Sequence, residues 1–140
     1  MKKKKPKVLN NVVTCYDCDD TLVRWIWDEN EKEELKDKLV KFDTGGTGYN
    51  LQYVWLQPND EVIENLKQNA LTGGSIVVWS AGGDVWAKTV IETLKLEQYV
   101  DVIMSKPTKY VDDLPCDEWM GKWVRVKKDG SLHNLIAIKE

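Results

Sequence analysis

Two short apolar runs constrain this chain more than anything else in it: "NVVTCY" at residues 11–16 and "SIVVW" at 75–79. Both are β-branched and nearly unbroken in hydrophobicity, the pattern of strands covered on both faces in a parallel sheet. "VDVIM" at 100–104 and "KYV" at 109–111 are shorter strand candidates. Helical periodicity falls between the runs. Residues 60–71 put Val62, Ile63, Leu66 and Ala70 on one face, started by Pro58 and Asn59 and stopped by Gly73 and Gly74. Residues 84–95 repeat this with Trp86, Ala87, Val90, Ile91 and Leu94, after Gly82 and Gly83. Strand, helix, strand, helix, strand predicts one α/β domain over residues 1–140, a three-layer sandwich on a mostly parallel sheet with right-handed crossovers. A chain of 140 residues can bury the core that this needs without disulfides or metal staples.

Three segments lie outside that rhythm. The lysine-rich start, residues 1–7, reads as a solvated basic tail. Residues 22–58 separate the first strand from its helix, far more than the ~2–6 residues of a plain connection. This insert holds the charged segment "DENEKEELKDKLVKF", a candidate helix with Leu35 and Leu39 on one side and the charge run 28–38 as its solvated face, then the turn-like "DTGGTG" and the alternating "YNLQYVWL". It is too small to fold alone and is expected to lie on the core as a flap. "TGGTG" lacks the pattern of a phosphate-binding loop and follows no buried strand, so it reads as a turn. At the other end, "KWVRVKKDGSLHNLIAI" reads as a β-hairpin turning at Asp129 and Gly130.

Composition removes several classes of function. A net charge of -3 argues against a general nucleic-acid binder. No apolar stretch follows the lysines as a signal peptide requires, and no run approaches the ~20 apolar residues of a membrane span. The expected location is the cytoplasm, with no membrane partner. Cys15 and Cys18 form one C-x-x-C, but Cys116 and His133 stand alone, so a zinc site has no second pair of ligands. Cys15 is expected to face the core and Cys18 to act as a spacer. With His133 the only histidine and no nucleophile elbow, a serine triad is excluded as well.

In a parallel α/β sheet, ligands sit outside the carboxyl ends of the strands. Those ends carry Asp17, Asp19, Asp20 and Thr21 after the first strand, Ser80 with "AGG" after the second, Lys106 after the third, and Asp112 and Asp113 after the fourth. Acids, a hydroxyl and a cation at four strand ends form a coherent chemical set. "DCDDTL" resembles the first motif of the haloacid dehalogenase-like (HAD) phosphohydrolases, "VVWSAGG" the second, and "SKPTKYVDDLP" the lysine and acidic pair of the third and fourth. The likeness spans residues 12–115 and is nearest to small cap-less or flap-only members, including phage-type ones. A response-regulator receiver uses similar groups, but in the wrong order for this chain.

The resemblance implies a HAD-like (Rossmannoid) sheet and a Mg²⁺-dependent phosphomonoester hydrolase. Asp17 would be the nucleophile and Asp19 the general acid and base. Dehalogenase and phosphonatase relatives lack an acid at that second position, so Asp19 favours phosphoester cleavage. Ser80 and Lys106 would hold the transferring phosphoryl oxygens; Lys109 lies close enough in sequence that the lysine role stays open between the two, with Lys106 preferred. Asp17, Asp112 and the main-chain carbonyl of Asp19 would bind the metal, with Asp113 a further ligand or an orienter. Carboxylates ~4 Å apart repel by ~4 kcal/mol at an effective dielectric of 20, so such a cluster needs a cation, and all-oxygen ligation suits Mg²⁺. Asp20 would support the loop and Thr21 would orient it. Trp25, Trp27 and Trp55 are expected to pack in the flap or core, the sharper alternative being stacking on a base. The expected substrate is a small phosphorylated metabolite or nucleotide, enclosed if need be by a homo-oligomer partner. The alternatives are a phosphatase of nucleic-acid ends and a non-catalytic HAD-fold module that binds a phosphorylated ligand or protein.

Overall fold

The first apolar run becomes β1 (Val13–Asp17) and the second β5 (Ser75–Ser80) in the computed structural model, which describes residues 12–45 and 52–135. The basic tail and most of the "GGTG" turn lie outside the described residues. Between these strands come β2 (Val23–Arg24), α1 (Glu29–Leu35), β3 (Val40–Asp43), β4 (Tyr53–Pro58) and α2 (Asp60–Leu71). After β5 come α3 (Asp84–Thr93), β6 (Val102–Ser105), β7 (Trp123–Val126) and β8 (Leu132–Leu135). The fold is mixed α/β. Its parallel sheet has the order β1-β5-β6, with Asp17 level with Trp79 and Ser80 level with Ser105.

The sheet's two faces differ. Tyr16, Ile76, Val78 and Ser80 point into the sealed core, while Val13, Cys15, Val77, Trp79, Val102 and Met104 on the opposite face are half-buried or exposed. The described residues therefore cover one face fully and the other in part, short of the two-sided burial that the apolar runs imply. The helices follow their periodicity: α2 buries Val62, Leu66 and Ala70, and α3 buries Trp86, Ala87, Val90 and Ile91. Gly73 ends α2 with a φ of 95°, a left-handed conformation that glycine adopts without steric cost. Tyr16 pins β1 to α2: its hydroxyl donates to Asn65 Oδ1 at 2.5 Å and accepts from Asn69 Nδ2 at 2.6 Å.

The candidate fourth strand does not form. Residues 109–111 are loop, with Val111 91% exposed, and Tyr110 turns to local partners. Its hydroxyl accepts the Cys116 N–H at 3.0 Å and its ring meets Trp119 edge-on at 6.1 Å. Tyr110 and Val111, the two residues between Lys109 and the acidic pair, offer too little apolar surface to outcompete that local packing.

The insert does fold back as a flap. It is an antiparallel sheet in the order β2-β4-β3, with α1 as a solvated helix that buries no residue. Asp28 caps α1 by accepting the Asn30 N–H at 2.9 Å, and Lys32 pairs with Glu29 and Lys36 with Glu33 along its surface. Phe42 fastens the flap, fully buried, its ring edge-on to Trp86 of α3 at 6.0 Å. The hairpin β7–β8 docks on the flap through its tip. Gly130, at φ 90°, has its carbonyl held by Asn59 Nδ2 at 2.8 Å, and a Cβ there would lie 2.9 Å from Arg24 Cδ. Among the described residues, no helix is long and apolar enough to cross a membrane.

Flap and core share one hydrophobic cluster, so they should unfold together. Phe42→Ala should cost about 3–5 kcal/mol. Urea denaturation should show one transition with its midpoint moved down; two separated transitions would show that the flap is an independent unit.

Candidate functional site

Asp17 ends β1 where the sheet stops and solvent begins, and its carboxylate is half-buried. Burial pushes its carboxyl above the ordinary aspartate range. Lys106 and the N–H of Cys18 oppose that shift, while the charges of Asp19 and Asp20 add to it. Lys109, Asp112 and Asp113 are not among the charges acting on Asp17.

The next strand end supplies Ser80, fully buried, with Oγ accepting the Gly82 N–H at 3.0 Å. The Ser80 carbonyl accepts the N–H of Gly83 at 3.1 Å and that of Lys106 at 2.8 Å. The β5–α3 turn and the start of the Lys106 loop are thus tied to one atom. Three adjacent strand ends bring an acid, a hydroxyl and a cation to the same edge of the sheet.

After Asp17 the chain makes a single tight turn in which the Cys18 carbonyl accepts the N–H groups of Thr21, Leu22 and Val23 at 3.0 to 3.1 Å. The turn carries Cys18 into the core, fully buried, and leaves Cys15 half-buried on the more open sheet face. This reverses the expected roles of the two cysteines, because the strand's alternation puts Tyr16 and then Cys18 toward the core and Cys15 on the opposite face. Burial pushes both thiols up, away from the thiolate that metal binding or nucleophilic attack would need.

The same turn places Asp20 in the left-handed region at φ 59°, tolerable for aspartate, and its Oδ1 accepts the Trp25 N–H at 3.1 Å. Asp20 thus supports the loop, as expected. Asp19 has the more unexpected surroundings. Its Oδ1 accepts Trp25 Nε1–H at 2.8 Å and Trp86 Nε1–H at 3.0 Å, one indole from the flap and one from α3. The sequence reading had both tryptophans as packing residues. The pairing of residues 19 and 86 is a product of tertiary structure with no local signal, although Trp25 stands only six positions from Asp19.

Asp112 and Asp113 lie in an exposed loop, where Asp112 Oδ1 accepts the Leu114 N–H at 3.0 Å. No fourth strand forms ahead of them, and neither is among the charges acting on Asp17. Among the described residues, no group of three or more acidic, histidine or cysteine side chains could hold a metal ion. What the edge of the sheet offers a hard cation is the Asp17 carboxylate, with Asp19 and Asp20 near it.

No family model, curated protein or solved structure matches this chain. The chemistry of the site therefore rests on its own geometry: a desolvated carboxylate facing a lysine, beside a buried serine and an acid oriented by two indoles.

Because burial raises the folded-state value of Asp17 above its unfolded one, the folded chain binds that proton more tightly. Its contribution to stability is most favourable below the ordinary aspartate range and is lost as pH rises through the folded value. Asp17→Asn should accordingly raise Tm at pH 7, by about 2 °C after allowing for solvent screening. The gain should vanish near pH 3, and thermal scans at both pH values read it directly. A lower Tm at pH 7 would show the carboxylate to be stabilising.

Proposed function

We propose that this chain is a Mg²⁺-dependent phosphomonoester hydrolase on a HAD-like sheet, working through an aspartyl-phosphate at Asp17. The observation that carries the reading is the set at three neighbouring strand ends: the half-buried Asp17, the buried Ser80, and Lys106, whose charge opposes the shift that burial imposes on Asp17.

The steps follow from those groups. An Asp17 carboxylate oxygen attacks phosphorus, and the bond from phosphorus to the ester oxygen breaks. The departing oxygen takes a proton from the carboxyl of Asp19. Water then gives a proton back to the Asp19 carboxylate and attacks phosphorus, releasing inorganic phosphate and restoring Asp17. Lys106 holds the non-bridging oxygens, where charge spreads in the transition state, and Ser80, buried beneath the strand ends, braces the β5–α3 turn beside them through the Gly82 N–H rather than touching substrate as the resemblance implies. Partial desolvation leaves Asp17 a weaker acid and so a more basic nucleophile.

The described residues offer no closed cage for a metal ion, so a Mg²⁺ would be held by Asp17 and completed by solvent and substrate phosphate, as Mg²⁺ commonly is. When bound, the ion supplies positive charge between the carboxylate and a phosphate dianion. By the resemblance, the carbonyl of Asp19 and the side chain of Asp112 would be further ligands, with Asp113 a ligand through water or an orienter.

The exposed position of that acidic pair favours one second reading, a module that binds a phosphorylated ligand without turning it over. Hydrolysis of a simple phosphate monoester in Mg²⁺ separates the two. Under the proposal the wild-type chain is active and Asp17→Asn loses at least about 1,000-fold in rate. An equal rate in the variant sinks the assignment, and an inactive wild type that binds phosphate selects the module. Metal binding has its own readout: Mg²⁺ and inorganic phosphate together should raise Tm by more than the sum of their separate effects. Additive shifts would reject a shared site.

A further inference from the structure

A cleft of about 320 Å³ adjoins the acids and is lined by residues that the reaction does not use. Arg24, Trp25 and Trp27 wall it from the flap, Val126, Lys127 and Lys128 wall it from the hairpin, and Asp20 completes the lining. In the segment after β2, strand-like alternation buries Ile26 and presents Trp25 and Trp27 on the same side. Their rings stack with centroids 5.4 Å apart and planes 14° from parallel. Trp27 is 76% exposed, so the platform presents a large aromatic surface to solvent. Around it stand three cations against the one carboxylate of Asp20, in a chain whose net charge is -3.

Two features therefore meet in one cleft. An exposed indole stack accepts a flat π-face, because base-on-aromatic stacking needs no particular edge chemistry. Lysines on the opposite wall accept an anion. The reacting phosphate is already provided for by Lys106, so the cleft's cations call for a second anionic group on the same molecule. The volume lies at the small end of ligand pockets, which run from ~300 Å³ upward, and matches one nucleotide unit better than a long strand.

We propose that this cleft is the substrate subsite of the phosphatase, and that its occupant is a nucleotide carrying a second, non-reacting phosphate. The base lies on Trp27, and the non-reacting phosphate faces Lys127 and Lys128. Trp25 links subsite to reaction. Its ring supports Trp27, while its Nε1–H holds Oδ1 of Asp19, so an occupied platform steadies the acid that protonates the leaving group. Such a nucleotide comes from two sources, a free nucleoside bisphosphate or the terminal unit of a strand. The proposal rests on the phosphatase reading only for the order in which the two phosphates are placed.

Calorimetric titration of the full-length Asp17→Asn chain tests it without turnover, using ribose 5-phosphate, adenosine 5′-monophosphate, adenosine 3′,5′-bisphosphate and a 5′-phosphorylated trinucleotide. The monophosphate should bind about 10-fold tighter than ribose 5-phosphate. The bisphosphate should gain about a further 5-fold that fades with added salt. Adding Trp27→Ala should erase the first increment and Trp27→Phe should keep most of it, while Lys127→Ala with Lys128→Ala should erase the second. Equal affinity for ribose 5-phosphate and the monophosphate, or increments untouched by these changes, would overturn the subsite. A trinucleotide that binds more tightly than the bisphosphate assigns the subsite to strand ends, and equal binding assigns it to the free nucleotide. A wild-type chain that cleaves simple esters while showing no increments defeats the subsite and leaves the reaction standing. Increments in a chain that cleaves nothing do the reverse.

Discussion

A carboxylate that accepts two indole N–H groups holds this molecule's working edge together. Trp86 is fully buried, so its N–H has lost water and needs an acceptor. Asp19 provides one, and the same oxygen takes the N–H of Trp25 from the flap. A buried donor left without a partner costs about 1–3 kcal/mol, so α3, the turn after β1 and the flap all depend on that acid. Its orientation is fixed from two sides. The group assigned to proton transfer is thus also the joint between insert and core, and disturbance of either element reaches it through an indole.

Around that joint the electrostatics oppose one another. Burial acts against the charge on Asp17, and Asp19 and Asp20 make the site more negative, while Lys106 relieves it. The relief is built into the sheet, because the Lys106 backbone is fastened to the Ser80 carbonyl and moves with the strand ends. Negative charge at that edge is only partly compensated, which is the electrostatic setting that the proposed uptake of a cation together with a phosphate would need.

Much of this was legible in the residues. The β-branched runs became parallel strands, α2 spans the predicted residues 60–71, and the flap and the turn at Asp129 and Gly130 stand where turn chemistry put them. Strand-end reasoning then led to Asp17, Ser80 and Lys106 because carboxyl termini of parallel strands share an edge. It failed at residues 109–111, where three residues carried too weak a signal and local packing of Tyr110 prevailed, leaving Asp112 and Asp113 in an exposed loop. The two cysteines exchange their expected places because the alternation of β1, with Tyr16 inward, runs on through Asp17 to Cys18. The paired indoles on Asp19 and the meeting of flap and hairpin arise from contacts far apart in sequence, which no local pattern encodes.

The docked hairpin tip sets the mechanical character of this region. Gly130 sits against the Arg24 side chain with no room for a β-carbon, and Arg24 Nη2–H reaches the Lys128 carbonyl at 3.0 Å while Nη1–H binds Gln57 across the flap. Flap and hairpin are riveted at the hairpin's tip, so they are held as one jaw. A molecule entering between them meets a gap of preset width, and adaptation to its size falls to the outward-facing indole and the lysine side chains. Lengthening the Lys127–Ser131 turn by even one residue would unseat the rivet, so this tip cannot absorb the length variation that surface turns ordinarily tolerate.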